Sequence, residues 1–173
     1  MGRCSRASRS QWSVGRVFCA ACSYPLAVVA QWTVSDAWVF SSIEGTGPDD
    51  GYTLAQILIK ADGVNHAVLT EAEFTCAVPR LVAAGLIGVQ VDADRYWHTE
   101  EGQALYRRWM KRGGLFSWIE VIPPALRRLG EPQDAAWSLP VDVFDRALQE
   151  HQQWAKAITR KLSSPGNDPG ARS

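Results

Sequence analysis

The sequence predicts a mostly α-helical fold with one small β-hairpin and a helical extension toward its C-terminal end. Three observations carry that expectation. Thr53 and Thr70 are each followed, three positions on, by a residue able to complete a capping box (Gln56 and Glu73), and each opens an apolar pattern of helical period. Between Leu86 and His98, two short β-rich runs flank Asp92-Ala93-Asp94, as in a hairpin. From Pro140 to Leu162, apolar residues recur in alternating steps of three and four. An apolar share of 46% and a charged share of 21% over 173 residues allow a buried core and exclude wholesale disorder. Eighteen bases balance eighteen acids, so bulk charge points to neither nucleic acid nor an anionic membrane.

In chain order, a first helix is expected over Ser35–Glu44. Ser35 would be its N-cap, Asp36 sits at the positive end of the dipole, and Gly45 closes it in the left-handed region. Trp38, Val39 and Ile43 form its buried side. Residues 45–51 are a loop by their Gly, Pro and Asp content. The second helix runs from Thr53 through Leu54, Ile57, Leu58 and Ala61 to Asp62-Gly63, and a short connector carries Asn65 and His66. The third starts at Thr70, turns Phe74, Ala77, Val78, Leu81 and Val82 inward, and ends at Gly85. Pro79 lies inside it and predicts a kink or an early break. After the hairpin, Thr99 caps a helix over Glu100–Met110 with Leu105, Tyr106 and Trp109 facing inward. Gly113-Gly114 reads as a hinge. An apolar piece, Leu115–Ile122, is expected as a short exposed helix stopped by Pro123-Pro124, with a further turn over Ala125–Leu129. The last element spans Pro140–Leu162.

Its narrow seam, Val141, Phe144, Leu148, His151, Ala155, Ile158 and Leu162, suits a partner helix or a dimer, with packing inside the chain as the alternative. The organisation is therefore a tail over 1–31, a helical domain with its hairpin over 32–112, a helical extension over 113–162 and a disordered tail over 163–173. In the first thirty residues, Arg3, Arg6, Arg9 and Arg16 precede an apolar stretch, Val17–Ala30, which Ser23, Tyr24 and Pro25 interrupt. A flexible tail is the first reading, a secretory signal the second, and a translated leader with a start near Val28 or Val29 the third. No segment reaches the roughly 18 to 20 apolar residues of a membrane span, so no membrane partner is expected.

The stretch Arg80-Leu81-Val82-Ala83-Ala84-Gly85-Leu86-Ile87, then a hairpin, then His98-Thr99-Glu100-Glu101-Gly102-Gln103-Ala104-Leu105 resembles the winged helix-turn-helix family of bacterial transcriptional regulators. The resemblance covers about Ser35 to Trp109. It implies three helices, a wing and a following helix, a cytoplasmic location, and a DNA-binding or transcription-associated role without catalysis. In DNA-binding members the third helix enters the major groove, which here makes Thr75 and Arg80 the first contacts to test. Arg95 would serve on the wing, and Arg107, Arg108 and Lys111 on phosphates.

Charge placement opposes that role. Between Ser35 and Thr99, nine acids face three bases, Lys60, Arg80 and Arg95, and Asp92 and Asp94 at the wing tip would repel phosphate. The outward positions of the third helix, taken as Glu71, Ala72, Thr75, Cys76 and Pro79, offer little to base edges. Cations gather after the wing instead. The alternative function is a winged helix used for protein–protein interaction or assembly without DNA.

Catalysis and metal binding have no motif. Cys19 and Cys22 have Cys-x-x-Cys spacing but no second pair, and His66, His98 and His151 are scattered. Asp49-Asp50 and Glu100-Glu101 are explained by a loop and a helix start. No cofactor and no metal ligand set is expected.

Overall fold

The computed structural model describes residues 30–112 and 117–163. The expectations for the N-terminal tail, for Cys19 and Cys22, for the Gly113-Gly114 hinge and for the chain after Ser163 fall outside those residues. The fold is mostly helical, with one two-stranded antiparallel sheet: α1 (Val34–Ser42), α2 (Leu54–Asn65), α3 (Glu71–Ala83), β1 (Ile87–Gln90), β2 (Arg95–His98), α4 (Glu100–Arg112), α5 (Ser117–Arg127) and α6 (Val143–Ser163).

Capping decides where the first three helices begin. Thr53 with Gln56 and Thr70 with Glu73 form the expected boxes. In α1 the cap is Thr33, not Ser35: the Thr33 hydroxyl and the Asp36 carboxylate exchange bonds with each other's backbone amides. The entry is set by Trp32, which is buried and donates its indole N–H to the Gly130 carbonyl at 2.9 Å. Helix α1 also ends early, at Ile43 in extended conformation, so Gly45 (φ +101°) shapes the following loop rather than closing the helix. Helix α2 runs past Asp62-Gly63 to a left-handed cap at His66.

Two expectations about prolines are corrected. The early break allowed for at Pro79 is absent, since α3 runs on to Ala83. Helix α5 passes through both Pro123 and Pro124 as one element instead of two. The missing amides orphan the carbonyls of Ile119 and Glu120, which belong to exposed residues, so water can satisfy them. Over its described residues the same helix is not an exposed apolar piece: Trp118, Val121, Ile122 and Leu126 are buried, and Ile119 is the exposed apolar side chain, while Leu115 and Phe116 lie outside the described residues.

The hairpin pairs Ile87 with His98 and Gln90 with Arg95, and a 3₁₀ turn over Val91–Ala93 closes at Asp94 in the left-handed region. Tyr52 adds a bridge on the outer side of β2, exchanging backbone bonds with Tyr96 at 2.8 and 2.9 Å. Thr99 caps α4, its hydroxyl accepting from the Gly102 amide while donating to the Gly85 carbonyl. The core is continuous: Phe40, Leu54, Leu58, Phe74, Leu81, Tyr96, Trp118 and Leu126 are all buried in one cluster.

Candidate functional site

Segment 130–139 lies across α3. The Ala135 amide donates to the Pro79 carbonyl at 3.0 Å, and the Trp137 ring packs edge-on against Phe74 with centroids 6.0 Å apart. Pro79, expected to face outward, is buried. Arg80 is held inside the fold: its guanidinium lies 3.4 Å from the Asp36 carboxylate and 3.6 Å from that of Asp134. Asp36 is 1% exposed and also accepts from the Thr33 amide, so this pair ties the start of α1 to the end of α3. Thr75 returns its hydroxyl proton to the Glu71 carbonyl at 2.7 Å. The solvent side of α3 thus presents Glu71, Ala72 and Cys76, a surface without a cation.

The hairpin differs from expectation as well. Asp94 does not project toward a phosphate; it is half-buried and accepts from the Leu54 amide at the start of α2. Burial, with Glu150 nearby, raises its pKa against that bond and the cations Arg95 and Arg146. Arg95 is half-buried beside it, its guanidinium 3.5 Å from the Gly51 carbonyl. The remaining predicted contacts, Arg107, Arg108 and Lys111, stand exposed on α4 together with Arg112. Arg107 reaches Gln103 at 3.3 Å. The structure therefore does not bring the six together: Thr75 bonds back onto α3, Arg80 belongs to the α1–α3 contact, Arg95 to the hairpin, and Arg107, Arg108 and Lys111 to α4.

Side chains the sequence did not single out converge on Glu44. Its carboxylate pairs with Lys60 of α2 and accepts from the Tyr52 hydroxyl at 2.7 Å and the Tyr106 hydroxyl at 2.9 Å. Burial opposes the charge on Glu44, but the bonds from Lys60, Tyr52 and Tyr106 outweigh it and hold the carboxyl below its usual range. Burial and the same carboxylate push Tyr52 up to about 12 and raise Tyr106 as well. A phenol so shifted is a donor and not a nucleophile at neutral pH. The cluster works as a clasp joining the end of α1, the Tyr52 bridge, α2 and α4. Glu44→Gln is expected to lower stability by about 1 to 2 kcal/mol, read from urea denaturation, because three donors lose a charged acceptor at a partly screened site. No signal in the sequence marks the clasp, since its members lie up to 62 residues apart.

Two grooves flank it. One, of about 420 Å³, is lined by Glu44, Thr46, His98, Gln103, Tyr106 and Arg107, among others. The second, of about 350 Å³, lies between α2 and α6 and is lined by Tyr52, Gln56, Ile59, Lys60, Gly63 and Trp154.

The seam on α6 divides in two. Phe144, Ala147 and His151 are buried against the body, Leu148 is half-buried, and His151 bonds Asp62 of α2 at 3.2 Å. Val141 lies before the helix and is exposed. Beyond His151 the helix leaves the body: Ala155 is half-buried, while Trp154, Ile158 and Leu162 are 39%, 40% and 75% exposed. Among the described seam residues on α6, the exposed ones lie in this outer half. Among the described residues no group of His, Cys, Asp and Glu could hold a metal ion, and no helix is long and apolar enough to cross a membrane. No protein-family model, no curated protein and no solved structure matches the chain.

Proposed function

We propose that the chain is a non-catalytic, cytoplasmic interaction module of winged-helix type, with α1 to α4 and the hairpin as scaffold and the outer half of α6 as the surface that meets another protein. The single observation that carries this reading is where apolar surface remains uncovered. Segment 130–139 lies across α3 and Arg80 is neutralised by Asp36 and Asp134, whereas Trp154, Ile158 and Leu162 stay exposed in one row. The element order, with Tyr52 bridging to β2 between α1 and α2, supports the winged-helix assignment by analogy of topology.

A second reading, DNA binding, has one observation in its favour: Arg107, Arg108, Lys111 and Arg112 are exposed along α4. The two readings separate in one pair of experiments on the full chain. The interaction reading expects association in size-exclusion chromatography with light scattering, and no electrophoretic shift with genomic fragments at low salt. A low-salt shift that weakens about tenfold or more in the Arg107→Ala, Arg108→Ala, Lys111→Ala triple variant would move the assignment to DNA.

A further inference from the structure

Resting on the interaction reading, we infer that the exposed face of α6 is covered by a second copy of this chain, paired antiparallel about a two-fold axis at Ile158, with Leu162 of each copy seated in the groove beside the partner's Trp154. At about 100° per residue, Trp154, Ile158 and Leu162 fall within one arc of about 80°, a stripe as wide as one helix partner. That stripe continues the row that seats Phe144 and His151 on the body, so the interface prolongs an existing packing face.

Symmetry favours the second copy. Trp154 and Leu162 are equally spaced about Ile158, so a two-fold axis there sets each opposite the other, as a self-complementary patch requires. Trp154 is not isolated: it forms one wall of the groove with Tyr52, Ile59 and Gly63, and a Cβ built at Gly63 meets nothing within 4 Å, so the groove is open there. Leu162, 75% exposed on its own copy, is the apolar side chain that this pairing carries into it.

Charge placement selects the second copy over an acidic partner. From His151 through Ser163 there is no carboxylate, yet Lys156 and Arg160 lie on the back of the helix, roughly 160° from the middle of the stripe. The cations an acidic helix or an anionic membrane would seek therefore point away from the apolar face. Lys161 alone borders it. Antiparallel pairing brings Lys161 to the partner's Trp154 ring, a cation–π contact, and that ring lies 6.1 Å from the partner's His151, which Asp62 holds.

The contact is small, with about ten helical residues and a shallow groove per copy. A standard interface takes roughly 20 to 30 residues a side, so the dimer is expected to be weak, with Kd on the order of 10 μM. Sedimentation velocity of the full chain from about 1 to 200 μM tests this. A monomer–dimer equilibrium is expected, weakened at least tenfold by Leu162→Asp and by Trp154→Ala, and unchanged by Gln153→Asp on the opposite side of the helix. In a chain with Cys4, Cys19, Cys22 and Cys76 replaced by serine, I158C should form an intermolecular disulfide under mild oxidant, and Q153C should not. Far-ultraviolet circular dichroism matching the wild type guards against unfolding in each variant. A monomer at 200 μM, a dimer indifferent to Leu162→Asp, or cross-linking through Q153C in place of I158C overturns the pairing. A monomer that binds another protein through the same face, lost in Leu162→Asp, overturns the second copy but leaves the interaction reading standing. A monomer with no protein partner removes both.

Discussion

Replacing Gly102 by alanine is expected to lower stability by about 3 kcal/mol or to prevent folding, although the change is conservative and lies inside a helix where alanine has the better propensity. The reason is a close approach between backbones. A Cβ at Gly102 would land on the Leu86 carbonyl oxygen and lie 3.3 Å from the His98 Cβ. The Leu86 carbonyl cannot move aside, because it accepts from the Thr99 amide at 3.1 Å, and that bond joins the start of β1 to the cap of α4. Relief would require α4 to slide off the hairpin and withdraw Leu105 and Trp109 from the core. Urea denaturation followed by tryptophan fluorescence measures the loss, with Gln103→Ala beside it as a control expected to cost about 1 kcal/mol or less. A Gly102→Ala protein within about 1 kcal/mol of wild type would mean that α4 does not pack on Leu86 as described.

Acidification is expected to remove about 3 kcal/mol of stability through His98 alone. This side chain is 2% exposed, enclosed by the rings of Phe40 and Tyr106, with Nε2 3.1 Å from the Phe40 carbonyl. Burial drives its pKa down to about 4, against the opposing pull of the Phe40 carbonyl and of Glu44. The ring is therefore neutral at pH 7, with its proton on Nε2 and donated to Phe40. In the unfolded chain the imidazole titrates near 6.5. Above that pH both states are neutral and the shift has no effect. Between about 6.5 and 4 the unfolded chain binds a proton that the folded chain refuses, so stability falls as pH falls, and the full loss is reached below the folded value. His98→Gln retains a donor for Phe40 and cannot charge. The difference between wild type and His98→Gln, measured by urea denaturation from pH 7.5 to 4.5, should change by most of that amount. Parallel curves would mean that the ring is not held neutral by the core.

Much of the fold is legible in the sequence because capping is local. A threonine and its partner three residues later need only their own turn of chain, so Thr53 with Gln56, Thr70 with Glu73, and Thr99 state where helices begin wherever the rest of the molecule lies. The start of α1 shows the limit of such reasoning. Thr33 and Ser35 are both acceptable caps, and Thr33 is used because buried Trp32, bonded to Gly130 almost a hundred residues away, directs the chain into the helix. The prolines of α5 show it again. Locally they break a helix; in the protein, burial of Trp118, Val121, Ile122 and Leu126 on one side outweighs two lost backbone bonds on the other.

Alone, then, the sequence determines a mostly helical protein with one hairpin, the starts of α2, α3 and α4, and an uneven distribution of charge. Which side chains remain available to a partner was decided only by the tertiary structure. Arg80 reads as an outward cation until Asp36 and Asp134 are placed beside it, and Asp94 as a wing-tip charge until Leu54 offers it an amide. The seam of α6 is uniform in sequence, but α2 covers its first half and leaves the second bare. The physical reason is common to all three: helix starts and turns depend on neighbours within a few residues, whereas exposure and charge neutralisation depend on groups brought close only when the chain has packed.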